Sequence, residues 1–323
     1  MITAVIRTDE HVSDKPPESR TDDYLETCLD KLTQIGDIAR DVDADLVIDN
    51  GDTFHNKSAR ENSHLMVSKV IDVHRDYPCP VYQNPGNHDF PYSNVDFVRR
   101  QPLQVLFSSG VFNRLDDVTL TDGQECSVRF VGFPYQNDYA ESDIDPDRGD
   151  EDHLVACAHC YASKTGGDMF GNEPILSYEE LKHNSPDGFV FGHWHIDQGI
   201  EKWDDAWFMN LGSMTRGSLT EDNLERIPRI GILRVWKEDG VVHHSLDTHQ
   251  LEVKPPDDIF DLERREELQR EQEEMEDFLD TLAEQAETEG TDDLERYISD
   301  IEEFDDEVKT RSMEYLRQVR EGS

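Results

Sequence analysis

Five short apolar runs in this 323-residue chain each stop abruptly on a carboxylate, an amide or an imidazole, and this recurrence limits the possible folds more than any other feature. Ile2 to Arg7 runs into Asp9-Glu10-His11, Leu46-Val47-Ile48 into Gly51-Asp52, and Pro80 to Gln83 into Gly86-Asn87-His88-Asp89. Leu154 to Ala158 then delivers His159, and Phe189-Val190-Phe191 delivers Gly192-His193-Trp194-His195. A β-branched run that ends this way reads as a buried strand handing a loop to one edge of a sheet. A single histidine after a strand is more often structural than functional. All five in order require the same edge to collect metal-type ligands repeatedly.

Helical patterns separate the early runs. Leu25, Cys28, Leu29, Leu32, Ile35 and Ile38 recur at three and four between Tyr24 and Arg40, as an amphipathic helix requires, and a second helix is expected from His64 to His74. Strand and helix therefore alternate, which predicts an α/β core. Later segments read as strands: Val128 to Phe133, Trp207 to Leu211, and a hairpin of Ile230 to Trp236 with Val241 to Leu251, turning at Asp239-Gly240. After Lys254-Pro255-Pro256 the composition changes. Residues 257–323 carry 26 acidic and 8 basic side chains, a net −18 over 67 residues, against −24 for the other 256. The expected division is a domain over residues 1–255 and an acidic helical tail over 256–323. In the tail, Leu268, Met275, Phe278, Leu279 and Leu282, then Leu294, Tyr297, Ile298, Ile301, Phe304 and Val308, fall at helical spacing on either side of Gly290. Such a stripe covers its own core, docks a partner or dimerises.

The formal charge of −42 argues against a polyanionic partner, because neutralising phosphates takes clustered Lys and Arg. A very salty cytoplasm offers an explanation, since the Debye length falls to ~3 Å at 1 M and self-repulsion is screened. The five cysteines follow no disulfide framework, no apolar run approaches the ~20 residues of a membrane span, and Ile2 to Ile6 is too short for a signal peptide. A cytoplasmic protein without membrane attachment is expected. Cys157-Ala158-His159-Cys160 has no second cysteine pair to make a zinc site.

Carboxylate and amide oxygens mixed with imidazole nitrogens suit divalent ions of the Mn, Fe or Zn type. Two ions ~3.5–4 Å apart need a bridging ligand with two oxygens, for which Asp52 is the choice. The ordered set Asp9-x-His11, Gly51-Asp52, Gly86-Asn87-His88-Asp89, His159 and Gly192-His193-x-His195 resembles the calcineurin-like metallophosphoesterase superfamily over residues 1–212. That resemblance implies a four-layer α/β/β/α sandwich. It also implies one metal on Asp9, His11, Asp52 and His195, and a second on Asp52, Asn87, His159 and His193. His88 would be the acid that protonates the leaving oxygen after attack by a metal-activated water, with Asp89 orienting it.

Asp9-Glu10-His11-Val12-Ser13-Asp14, Gly51-Asp52-Thr53-Phe54-His55 and the Asn210 to Leu219 stretch are similar to DNA-repair exonucleases of the SbcD type. This second resemblance implies Mn as the metal, DNA as the substrate and a coiled-coil ATPase of the SbcC type as partner, with a homodimer as another possibility. It is compact: the segment from Leu219 to Lys254 leaves little room for a capping domain. His55 and Arg216 are candidates for phosphate or DNA contact. The alternative substrate is a phosphoprotein or a small phosphodiester such as a cyclic nucleotide. If the charge reflects a high-salt cytoplasm, the melting temperature rises between low and molar KCl; a melting temperature indifferent to KCl contradicts it.

Overall fold

The computed structural model describes residues 1–17, 19–123, 126–169 and 173–262. The tail helices expected between Leu268 and Val308 lie outside the described residues. Met1–Phe260 forms one compact unit. Its first half alternates as the sequence predicts: β1 (Ile2–Arg7), α1 (Tyr24–Asp41), β2 (Leu46–Asp49), α2 (His64–Arg75), β3 (Val81–Gln83), α3 (Pro102–Ser109) and β4 (Phe112–Arg114). The second half is richer in strands: β5 (Asp117–Thr121), β6 (Ser127–Phe133), β7 (His153–His159), β8 (Ala162–Ser163), β9 (Gly167–Met169) and β10 (Glu173–Ser177). After α4 (Tyr178–Leu181) come β11 (Gly188–Gly192), β12 (Gly199–Trp203), β13 (Ala206–Asn210), α5 (Glu221–Glu225), β14 (Arg229–Glu238) and β15 (Val241–Gln250).

Among the described residues these strands build two six-stranded sheets, in orders β15-β14-β1-β2-β3-β4 and β12-β13-β11-β7-β6-β5. A three-stranded sheet, β8-β10-β9, stands beside them. β1 pairs in parallel with β2, β2 with β3, and in the second sheet β6, β7, β11 and β13 are parallel, so their C-terminal ends share an edge. Three apolar layers follow from strand alternation. Val5, Val47 and Val81 face the stripe of α1 and the helices beside it, including Cys28, Leu32 and Ile35. Ile6, Ile48, Val155, Cys157 and Val190 meet between the sheets. On the outer face of the second sheet, Phe189, Phe191 and Phe208 stack beneath Tyr178. The architecture is the α/β/β/α sandwich. Cys157 and Cys160 lie in different layers and are unpaired, as all five cysteines are. No helix among the described residues is long and apolar enough to cross a membrane.

Local signals set the helix starts. Asp23 accepts a hydrogen bond from the Glu26 N–H and Ser63 from the Met66 N–H, capping α1 and α2. Where the strands end, two buried asparagines join the sheets. The Asn50 amide donates to the carbonyls of Ala158 (3.0 Å) and Val190 (3.2 Å). The Asn84 amide donates to Asn50 Oδ1 at 2.9 Å and to the carbonyls of Phe133 and Cys157 at 2.9 and 3.1 Å. These bonds fix the ends of β2 and β3 against the ends of β6, β7 and β11. Replacing Asn50 with Leu, similar in size but unable to donate, should lower unfolding free energy by about 2 kcal/mol or more, the scale of buried acceptors left unpaired. An unchanged urea midpoint would show that the asparagines do not join the sheets.

Candidate active site

The loops leaving β1, β2 and β11 turn sharply, and they turn on the residues that carry chemistry. Asp9 (φ 55°), His11 (48°), Asp52 (59°) and His193 (82°) all occupy the left-handed region, which non-glycine residues enter at a cost of about 1–3 kcal/mol each. The strain is held by packing. A Cβ on Gly51 would strike the His159 ring and one on Gly86 would strike Asp52, so glycine at both positions lets the two loops touch. Glu10, between two of these residues, is buried against Arg7 at 2.9 Å, and Arg7 also holds Asp49 at 2.8 Å. That ion cluster anchors the loop from beneath.

Two donor clusters result, and both contain Asp52. Asp9, His11, Asp52 and His195 bring their ligand atoms within 4.8 Å of one another, and so do Asp52, His159 and His193. Asn87 joins the second cluster, its Oδ1 lying 3.2 Å from His159 Nε2 and 2.9 Å from His193 Nδ1. Asp52 Oδ1 accepts from the His88 N–H at 2.6 Å. Its Oδ2 is buried without a hydrogen bond, 3.7 Å from His11 Nε2 and 3.4 Å from His159 Nε2. A buried carboxylate oxygen with no donor, aimed between two imidazoles, fits a site for divalent cations. The residues named from the sequence as ligands are thus brought together here, with Asp52 common to both groups.

The electrostatics agree. Burial would raise the carboxyls of Asp9 and Asp52, but the surrounding imidazoles, His195 and His159 foremost, hold Asp9 down at about 2 and Asp52 well below the usual range. His159 shows the reverse balance: burial lowers it, yet Asp52 draws it up to about 9. Outer partners set the ring orientations. His159 Nδ1 faces the Asn50 carbonyl at 2.7 Å, leaving Nε2 for the cluster, while His193 turns Nε2 to Glu173 at 2.9 Å and offers Nδ1. Glu173 also accepts from the Tyr135 hydroxyl. Neither residue was found from the sequence, because Glu173 follows no apolar run.

Two expected roles change. Asp89 does not orient His88. Its Oδ2 accepts the N–H groups of Asp52 (2.9 Å) and Gly86 (2.8 Å) and the Gln83 amide (3.0 Å), so it ties two site loops together. Burial, with the charge of Asp52, pushes this carboxyl up to about 8. His88 is oriented instead by the backbone, its Nδ1 lying 2.5 Å from the His55 carbonyl. The His55 ring stacks on it with centroids 5.5 Å apart, and both rings line one cleft. Arg216 does not. Its guanidinium is buried and donates to the Lys254 carbonyl, on the far side of the segment from Thr215 and Gly217, which line the site. Among the described residues, the arginine that lines the site is Arg226. It lines a cleft of about 400 Å³ with His11, His55, His88 and His195, and it is held by Asp222 at 3.0 Å.

Residues 6–197 match the family model described as calcineurin-like phosphoesterase. Curated proteins yield no match. Among solved structures, a dimetal phosphatase from Danio rerio is 12% identical, with a TM-score of 0.48, covering 77% of this chain and 98% of its own. TT1561 of Thermus thermophilus is 11% identical, with a TM-score of 0.41 and coverage of 76% and 98%. Vacuolar Protein Sorting 29 from Cryptosporidium parvum is 13% identical, with a TM-score of 0.33 and coverage of 77% and 98%. With the family model spanning 192 of 323 residues, this chain belongs to the calcineurin-like phosphoesterase family.

Proposed function

We propose that this chain is a metal-dependent DNA phosphodiesterase, an exonuclease or endonuclease of a repair or recombination complex, working with two Mn ions. The observation that carries the hydrolytic part is Asp52, whose unpartnered oxygen lies between two donor clusters. Held by the two clusters, divalent ions would supply charge to neutralise phosphoryl oxygens and would lower the pKa of a bound water. The protein supplies the rest. With Nδ1 engaged by the His55 carbonyl, His88 keeps Nε2 as the atom that delivers a proton to the departing oxygen. Asn223 and Thr220 line the same cleft as polar groups that can contact the phosphate or sugar, while Arg226 is engaged by Asp222, Asn223 and the carbonyls of Ser213 and Thr215.

The DNA assignment rests on the SbcD-type motifs, and it extends to a coiled-coil ATPase partner docking on residues 256–323. A small phosphodiester is the second reading. The net charge of −42 and the engagement of Arg226 by Asp222 favour it, since both leave the cleft without a free basic track among the described residues. Labelled DNA and bis-p-nitrophenyl phosphate, assayed together with Mn at molar salt, separate the two. DNA degradation supports the first reading, and cleavage of the small ester alone overturns it in favour of the second. His88→Asn should keep the metal content and lose roughly 10²-fold or more in turnover, the scale of a positioned acid. Unchanged turnover would remove His88 from the chemistry.

A further inference from the structure

Lys31 occupies the buried stripe of α1, 2% exposed, between Cys28 and Leu32, which are fully buried. A lysine on such a face usually runs its stem along the apolar surface and frees its ammonium to water or to a carboxylate. This one reaches no carboxylate. Among the described residues Lys31 makes no hydrogen bond or ion pair, although the chain carries 73 acidic side chains. Arg216 shares the environment. It is 3% exposed, its Nε is buried without a partner, and its one side-chain bond runs from Nη2 to the Lys254 carbonyl. Both side chains line a cavity of about 310 Å³, with Glu26, Thr27, Asp30, Glu252, Val253, Lys254 and Ile259 around them.

Three carboxylates share that lining, but none lies within ion-pair distance of Lys31 or Arg216 among the described residues. Glu26 pairs with Lys69, Asp30 accepts from the Gln34 amide at 2.8 Å, and Glu252 is exposed. Arg20, the next cation, is already matched by Asp22 at 2.8 Å. Two cations of low exposure that face one cavity without an ion pair offer a place for an anion from solution. The cavity is separate from the histidine cleft. Tyr24, which donates to the His11 carbonyl at 3.2 Å and to Thr215 Oγ1 at 3.3 Å, stands in the wall of the cleft, and Arg216 projects behind that wall.

We propose that the Lys31–Arg216 cavity binds a phosphate-class oxyanion, at a second site behind the wall of the active-site cleft. Its occupant would bridge α1 to the segment bearing Ser213 and Thr215, and so brace one side of the cleft. Calorimetric titration of the full-length, metal-loaded protein with inorganic phosphate at fixed ionic strength tests this. Two binding events are expected in the unaltered chain. Lys31→Met should weaken one of them at least tenfold, Lys31→Arg should retain it, and Asp52→Asn should abolish the other while leaving the Lys31-dependent event in place. Identical isotherms for Lys31→Met and the unaltered protein would overturn the site, and so would a single event lost only in Asp52→Asn. If Lys31→Met does not fold, Arg216→Gln is read by the same criteria. Failure at Asp52 speaks to the metal centre and failure at Lys31 to the second site, so the two outcomes stay distinct.

Discussion

The rest of the molecule is arranged around one buried carboxylate. Asp52 has no exposure, one oxygen fixed by a backbone N–H and the other facing two histidines without a hydrogen bond. Asp9, Asp49, Asp89 and Glu10 are buried close by, and a packed interior does not gather so many acids without compensating cations. Arg7 answers for Glu10 and Asp49, and burial near Asp52 favours the protonated form of Asp89. Asp9 and Asp52 remain charged, and they are the two that face the histidine clusters.

Holding that arrangement takes both sheets. Asp9, Asp52 and Asn87 come from loops after strands of the first sheet, His159 and His193 from strand ends of the second, so neither sheet holds a complete donor set. Asn50 and Asn84 set the distance between them, and the left-handed turns aim the side chains inward. Ligand placement is therefore a property of the sandwich as a whole, with backbone strain at the ligands balanced by core packing elsewhere.

The donors themselves were legible because each follows an apolar run, and a buried strand can end only by delivering polar residues to a sheet edge. β1 matches its apolar run to the last residue and α1 its periodic stripe to within one, since burial sets both patterns. What the sequence concealed depends on direction and on contacts between distant segments. Arg216 sits in a conspicuous motif, yet its side chain leaves on the opposite side from Thr215 and Gly217. Asp89 adjoins His88 in sequence but turns back under Gly86 and Asp52. Glu173 reaches His193 from a short strand that carries no periodic signal. Lys31, one turn from Cys28 on the apolar stripe of α1, gives no sign in the sequence that its side chain is covered without an ion pair.

Asp52 belongs to both donor clusters, and the proposed function requires that it join two metal ions into one centre. Electron paramagnetic resonance of the Mn-loaded protein tests it most directly, because two ions sharing a carboxylate are close enough to couple their spins. A spin-coupled pair in the unaltered protein, replaced in Asp52→Asn by the hyperfine pattern of isolated ions or by no bound Mn, is the predicted result. Isolated Mn signals at full loading of the unaltered protein would contradict it.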